Sequence, residues 1–327
     1  MKLFILLILS LINGAFANEL VIYSARNEQL IKPLFDLYKK ETGTTISFVT
    51  DKEGPLMQKL KTEGANSPAD ILLTVDAGNL WLASKEGLLQ PIKSKILSEN
   101  IPAHLRDPEN FWVGLSVRAR TIFYNKDKVK ITDLSSYEDL ALPKWNKRLC
   151  LRTSNKVYNQ SLVAMMIAEN GEAPTEKIVA GWVKNLATTV FPDDTKLIEA
   201  IDAGLCDVGI ANTYYFGKYA ATKPTAKVGL FWPNQKKNGV HVNVSGAGIT
   251  KYSKNPEAAL KFIEWLSSSN AQNLFVDENY EFPVNSKIKS SPVVAAWGKF
   301  KQNVINVSKA GELQSTAVKL MDRAQYK

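Results

Sequence analysis

Apolar and polar positions along the chain predict strands and helices in turn. "ELVIYSAR" is a short apolar and aromatic run that predicts a strand. In "NEQLIKPLFDLYKKETG" after it, Leu30, Ile31, Leu34, Leu37 and Tyr38 recur at helical spacing, with Gly43 placed as a C-cap. "TTISFVT" then predicts a strand, "EGPLMQKLKTEG" a helix, "ADILLTVD" a strand and "AGNLWLASKEG" a helix. Near-continuous apolar strands are covered on both faces, so this rhythm predicts a parallel sheet flanked by helices. From "FWVGLSVRARTIFYNKDKV" onward the strand-like segments lengthen. Alternation resumes with "KRLCLRT", helices around "NQSLVAMMIAENG", "EKIVAGWVKNLA" and "DDTKLIEAIDAG", and the strand "CDVGIAN". "GVHVNVSGAGITKYS" predicts a further strand. "KNPEAALKFIEWLSS" predicts a helix with Asn255 as cap, Pro256 in the first position, and Ala259, Phe262, Ile263 and Leu266 on one face.

The pattern describes two α/β units with no repeat and no low-complexity linker. That organisation predicts two lobes joined by crossing strands, "LSVRARTIFY" and "VHVNVSGAGIT", which would make each lobe discontinuous in sequence. The expected division is a leader over 1–17, an N-lobe of 18–117 plus 247–285, and a C-lobe of 118–246 plus 286–327. A ligand would bind in the cleft between lobes, beyond the carboxyl ends of the strands, and hinge closure would trap it.

Composition narrows the setting. The 327 residues suit one large or two ordinary domains, and 45% apolar with 22% charged residues is ordinary for a globular chain. "MKLFILLILSLINGAFANEL" carries one lysine, an apolar run from Leu3 to Ile12 and then Ala15-Phe16-Ala17. This is the pattern of a cleaved export signal cut after Ala17. A retained anchor is the weaker reading, because a bilayer span needs about 20 apolar residues. The net charge of +9 is dispersed with no compact basic block, so no nucleic-acid partner is expected. The two cysteines, Cys150 and Cys206, are an even count in an exported chain. A single disulfide is expected, with a free buried pair as the alternative.

Catalytic machinery is not evident. The two histidines, His104 and His241, stand in no metal-ligating or nucleophile-elbow motif, and no phosphate-binding glycine motif occurs. The chemistry-bearing feature is the pair Tyr214-Tyr215, after the strand "CDVGIAN". One adjacent pair among 11 tyrosines is an ordinary event, and packing alone could explain it. Its place beyond a strand end, after Asn212 and Thr213, puts it where a cleft would lie, and the two phenols converge only if the chain turns there. Phenolates are hard anionic oxygen ligands, suited to a strongly Lewis-acidic ion such as Fe³⁺. Softer ions would prefer the Cys and His that this chain hardly has.

With these residues stand "YSAR", "PADILLTVDAGNLW", "LSVRARTIFYNK", "CLRTSNKVYNQSLVA", "CDVGIANTYYFGK" and "NPEAALKFIEWLSS…NYEFPV". Together they resemble, over nearly the whole mature chain, the periplasmic ferric-iron-binding proteins of ABC importers, the bacterial transferrin-like, three-tyrosine type. The resemblance implies a two-lobed periplasmic-binding-protein fold of α/β class. It implies a periplasmic monomer that is not an enzyme and that delivers Fe(III) to an inner-membrane ABC permease. It implies Tyr158, Tyr214 and Tyr215 as the metal ligands. Many members add a His where this chain has Asn27, and some an acidic ligand where it has Val75. The remaining positions are therefore expected to take water or an exogenous anion such as carbonate, with Arg26 anchoring it and Asn27, Ser154 and Asn155 as further contacts. Arg118 and Arg120 are additional candidates, of which only one is expected to face the cleft. Glu28 could ligate directly or simply open a helix. Tyr23 and Tyr124 are candidates for supporting contacts near the cleft. Asp76 is expected as a helix cap, His241 as structural, Trp81 as core or rim, and Tyr219 as packing. The alternatives are an organic cargo such as a polyamine, a thiamine-like molecule or a sugar in the same cleft, and an exported hydrolase.

Overall fold

A computed structural model describes residues 19–327; the expected leader and its cut after Ala17 lie outside the described residues. The first unit follows the predicted rhythm. β1 (Glu19–Ser24) leads to α1 (Glu28–Thr42), β2 (Thr45–Thr50), α2 (Glu53–Glu63), β3 (Ile71–Thr74), α3 (Ala77–Lys85), the short β4 (Leu89–Gln90) and α4 (Lys95–Asn100). Helix α1 forms where the apolar spacing put it. Ile31, Leu34, Phe35 and Tyr38 turn inward, Asn27 accepts from the Gln29 N–H at 3.0 Å, and Gly43 ends the helix in the left-handed region at φ 76°.

β5 (Val113–Asn125) is 13 residues long and carries the chain from one lobe to the other. Its first half pairs with β9 (Val242–Thr250), and its second half, from Arg120, pairs with β7 (Val208–Asn212) and β8 (Val228–Phe231). The second unit adds β6 (Leu149–Cys150), α5 (Val157–Asn170), α6 (Glu172–Lys184), α7 (Asp194–Asp202) and α8 (Thr213–Thr222) around those strands. After β9 come α9 (Pro256–Leu266), α10 (Ser269–Asn279), β10 (Phe282–Pro283), α11 (Pro292–Ala295), α12 (Lys309–Glu312) and α13 (Gln314–Arg323).

The main sheet runs β2-β1-β3-β9-β5-β7-β6. Its outer parts, β2-β1-β3 and β7-β6, are parallel as expected, whereas the central β9 and β5 run antiparallel to their neighbours because they are the crossings between lobes. This is the two-lobed α/β fold with discontinuous lobes. One core gathers Leu20, Ile22, Ile31, Leu72, Phe262 and Ile263. A second, in the other lobe, gathers Leu162, Val163, Trp182, Val208, Leu320 and Met321. Val294 and Val307 pack in the first core and Ala317 in the second, so the last segment of the chain touches both lobes.

Two local expectations differ in detail. Asn255 occupies the cap position of α9, but its side chain makes no cap bond; its backbone N–H donates to Asp70 at 3.0 Å instead. "KRLCLRT" yields a strand of only two residues against β7; beyond Cys150 the chain pairs on its other side, where Arg152 bridges Phe191.

Candidate metal centre

Each tyrosine of the triad starts a helix at the carboxyl end of a strand. β6 leads through a short loop to α5, where Tyr158 is the second residue. β7 passes directly into α8, where Tyr214 and Tyr215 occupy the first turn. The chain does turn after Asn212, but into a helix rather than a loop. Consecutive residues of a helix are fanned about 100° apart rather than set on opposite faces, so both phenols can face the same cleft. The Tyr214 hydroxyl lies 3.4 Å from that of Tyr158, and the rings of Tyr214 and Tyr215 pack with centroids 4.3 Å apart. Two cis oxygens on an octahedral ion, each roughly 2 Å from it, stand roughly 3 Å apart. The Tyr158–Tyr214 pair is therefore close to chelating distance. Among the described residues no group of three or more His, Cys, Asp or Glu could hold a metal ion.

The cleft that these phenols line has a volume of about 670 Å³. Its far wall is the N-lobe: Ala25 to Glu28 before and at the start of α1, Thr50 to Glu53 at the start of α2, and Val75 after β3. Ser245 on β9 and Asn279 and Glu281 around the end of α10 close one side, while Arg118, Lys156 and Lys218 stand on the tyrosine side. Four helices, α1, α2, α5 and α8, thus point their N-termini at one space. Unpaired backbone N–H groups and the positive ends of helix dipoles favour anions there.

Three cations surround the Tyr158 ring. The Lys156 ammonium is 4.8 Å from its centroid, the Arg118 guanidinium 5.2 Å and the Arg152 guanidinium 5.7 Å. Burial raises the Tyr158 phenol above its ordinary value near 10, and Arg118 opposes that rise. Burial also holds Tyr214 well above its ordinary value, reinforced by the neighbouring Tyr158 and Tyr215. Both phenols are therefore protonated near neutral pH without a metal. The surrounding cations lower the cost of the phenolate that a metal would demand.

The loop before Tyr158 is tightly held. Asn159 Nδ2 donates to the carbonyls of Arg152 and Thr153, both at 2.9 Å, and the buried Tyr326 hydroxyl donates to the Arg152 carbonyl at 2.6 Å. Arg120 lies beneath, donating to Asp194 at 3.0 Å, to Asn159 Oδ1 at 2.6 Å and to Asn212 Oδ1 at 3.1 Å. It therefore braces both tyrosine-bearing helix starts. Asp76 caps α3 by accepting from the Gly78 N–H at 2.8 Å. It also accepts from Ser161 on α5 and Asn243 on β9 and faces Arg118 at 3.7 Å, so this N-lobe carboxylate is tied to the helix of Tyr158.

The structure sorts the other sequence candidates. Arg26 lines the cleft but is already engaged. Its Nη1 donates to Ser245 at 2.6 Å and pairs with the buried Glu281 at 3.2 Å. Asn27 is at the rim with its side chain committed to the α1 cap, and Glu28 stands exposed in the first turn of α1 on the cleft wall. Ser154 and Asn155 do not reach the cleft. Their loop faces the chain's end, where the Ser154 N–H donates to the Lys327 carbonyl at 2.7 Å, and they line a separate depression with Lys319, Asp322 and Tyr326. Arg118 lines the cleft and Arg120 does not. Residues two apart share one face of a strand, so what separates the two is depth along β5 rather than alternation. Tyr23 turns away to donate to Glu63 at 2.9 Å, and Tyr124 packs on Gly229 in the second lobe; neither lines the cleft. Tyr219 donates to Asp202 at 2.7 Å outside the cleft. His241 does not line the cleft but is buried beneath it, in a small pocket with Arg118, Tyr158 and Asn243, and burial pushes its pKa down to about 3, so it stays neutral.

Sequence reasoning gave no role to Glu281, Ser245, Lys156 or Lys218. Glu281 carried one signal, its place in "NYEFPV". Tyr280 before it ends α10 in the left-handed region at φ 54° and redirects the chain so that Glu281 enters the cleft.

Comparison with known proteins follows the same outline. Residues 34–302 match the family described as bacterial extracellular solute-binding protein. The chain is 42% identical over 316 residues to Iron uptake protein A1 of Synechocystis, spanning 95% of this chain and 88% of that protein. It superposes with a TM-score of 0.92 on a Trichodesmium protein (IdiA, FutA) in complex with iron and citrate ligands, at 43% identity over 95% of this chain and 100% of that one. With Mannheimia haemolytica ferric iron-binding protein A in an open conformation the TM-score is 0.89 at 37% identity, covering 95% and 99%.

Proposed function

Because the chain belongs to the family of bacterial extracellular solute-binding proteins, we propose that it captures ferric iron in the periplasm and hands it to an inner-membrane ABC permease. It acts as a monomeric carrier and not as an enzyme. The observation that carries this reading is the meeting of the Tyr158 and Tyr214 hydroxyls, 3.4 Å apart, with the Tyr215 ring packed at a tilt against Tyr214, where no cluster of three His, Cys or carboxylate groups among the described residues competes for the metal. The relatives named for iron uptake and for bound iron support the same cargo.

On this reading the cargo meets the phenols first. Each phenol that binds loses its proton, and three phenolates balance the charge of Fe³⁺. The cations around Tyr158 and the converging helix N-termini stabilise the phenolates and hold a carbonate-like or carboxylate anion in the remaining positions. The bound anion is drawn to Arg118, Lys156 and Lys218, while Arg26 contributes only as far as Glu281 releases it. Neither Asn27 nor Val75 brings a strong ligand from the N-lobe, so the anion is what links metal to far wall as the lobes close. Protonation or loss of the anion then opens a route to release. The lobes divide at 18–117 with 247–285 and 118–246 with 286–327, except that the stretch around Val294 and Val307 moves with the N-lobe by its packing.

An amine cargo fits less well: of the four carboxylates lining the cleft, Glu281 is paired with Arg26, while Glu28, Asp51 and Glu53 lie on the far wall, and Arg118, Lys156 and Lys218 line the tyrosine side. Neither histidine lines it, which removes the base that a hydrolase would need there. The test is direct: purified protein given ferric citrate should develop a visible phenolate-to-iron charge-transfer band, and the triple variant Tyr158→Phe, Tyr214→Phe, Tyr215→Phe should lose it. A wild type without the band, or a triple variant that keeps it, overturns the reading.

A further inference from the structure

The disulfide between Cys150 and Cys206 lies behind the tyrosines rather than among them. Cys150 ends β6, and Cys206 stands just before β7. Those strands are parallel neighbours, and they launch the two helices that carry Tyr158 and Tyr214. Each cysteine precedes its phenol by the same interval, 150 to 158 and 206 to 214, so the cysteine pair and the phenol pair share a sequence separation of 56. The metal-facing pair is thus built from two distant segments whose only nearby covalent tie is this bond.

The backbone ladder there is slight. β6 pairs with β7 at two positions, Leu149 with Val208 and Cys150 with Gly209. Two pairs specify register weakly. Both sulfurs are buried in a pack with Leu197, Ile198 and Ile201 of α7, which sits against both strands. We propose that the Cys150–Cys206 bond is a positioning clamp for the phenol pair: it holds β6 against β7 so that α5 and α8 present Tyr158 and Tyr214 near chelating distance before the metal arrives. The clamp rests on the ferric reading above. Its physical content is preorganisation: without it, the Arg120 bonds to Asn159 and Asn212 and the Arg148–Asp207 pair still bridge the two segments, but part of their order must be gained at the moment of binding, and affinity falls by that cost.

The test is the full-length C150A/C206A variant titrated with ferric citrate. Ferric affinity should fall at least about tenfold, and the charge-transfer band of the bound form should shift or broaden, while far-ultraviolet circular dichroism stays that of the wild type. Ile263→Ala, in the N-lobe core away from the cleft, controls for general destabilisation and should lower the melting temperature without moving the band. The C150V/C206A variant refills part of the sulfur volume and should show the same loss. As a second route, wild type reduced with dithiothreitol, freed of reductant without air and titrated with trivalent gallium, an ion thiols do not reduce, should bind more weakly than the oxidised protein. A double variant that keeps band and affinity within about threefold, one that loses no more than Ile263→Ala, or equal gallium binding by reduced and oxidised protein each overturns the clamp. A wild type that shows no band would instead sink the ferric reading itself, so the two failures are distinguishable.

Discussion

At Tyr158 two opposing forces act on one phenol. Burial holds its proton on, and the three cations ringing it at 4.8 to 5.7 Å favour its loss once a metal is present. Tyr214 feels the same burial with less relief. The sign of the pH dependence follows. Both groups are protonated in the metal-free protein at neutral pH because burial raises each beyond the ordinary phenol, and both are deprotonated when ligating, so each releases a proton on binding. Adding ferric ion at pH 7 should liberate at least two protons per iron from the protein, measured by pH-stat with the donor chelate's own protons subtracted. Affinity should climb with pH by up to about tenfold per unit for each proton released. Fewer than one proton per iron would mean that the phenols do not ligate. The Arg26–Glu281 pair belongs to this scale too: it satisfies a buried cation inside the cleft, and removing one partner from such a pair costs about 3–5 kcal/mol.

Among the elements, α8 shows how sequence and site are joined. It carries Tyr214 and Tyr215 in its first turn and a glycine, Gly217, in its middle, a poor helix former by about 1 kcal/mol. The reason is contact: a Cβ at 217 would stand 2.5 Å from the ring of Tyr280, the residue that turns Glu281 into the cleft. Helix α8 therefore touches the segment leading to Glu281 by backbone. Gly217→Ala should push the two apart, lower stability by about 1–3 kcal/mol as overpacking does, and weaken iron binding. Tyr280→Gly added to it should recover much of both losses, because it removes the ring and suits the left-handed backbone. Thermal melts and chelator competition on the single and double variants decide this; additive losses would show that the contact does not matter.

The whole molecule is two lobes joined through β5 and β9, with the cleft between them and the tyrosines on one side. Asp76 of the N-lobe reaches Ser161 on the helix of Tyr158 and faces Arg118 on β5, so the hinge region is a buried polar network rather than a loose linker. Closure about these strands should bring the walls at Glu28 and Glu53 toward the phenols. Small-angle scattering should show a smaller radius of gyration with ferric iron and citrate than without. The triple Tyr→Phe variant should stay at the metal-free value under the same conditions. Equal values for the two wild-type states would exclude closure as the trapping step.

The order of strands and helices, the two-lobe division with "LSVRARTIFY" and "VHVNVSGAGIT" between, and the place of Tyr158, Tyr214 and Tyr215 at the cleft were legible in the sequence. Apolar periodicity and turn chemistry are local properties, and the triad rests on short motifs that survive reading in one dimension. Which side chains share the cleft was not legible, because that depends on how separate segments are brought together. Glu281 and Ser245 enter only once α10 and β9 pack beside Arg26, and Lys218 only because Tyr214 and Tyr215 begin a helix. Ser154 and Asn155, adjacent in sequence to Tyr158, leave the site because their loop faces the chain's end. Proximity along the chain determined which residue types were available; the direction in which each helix start points, set by packing between lobes, decided which of them meet.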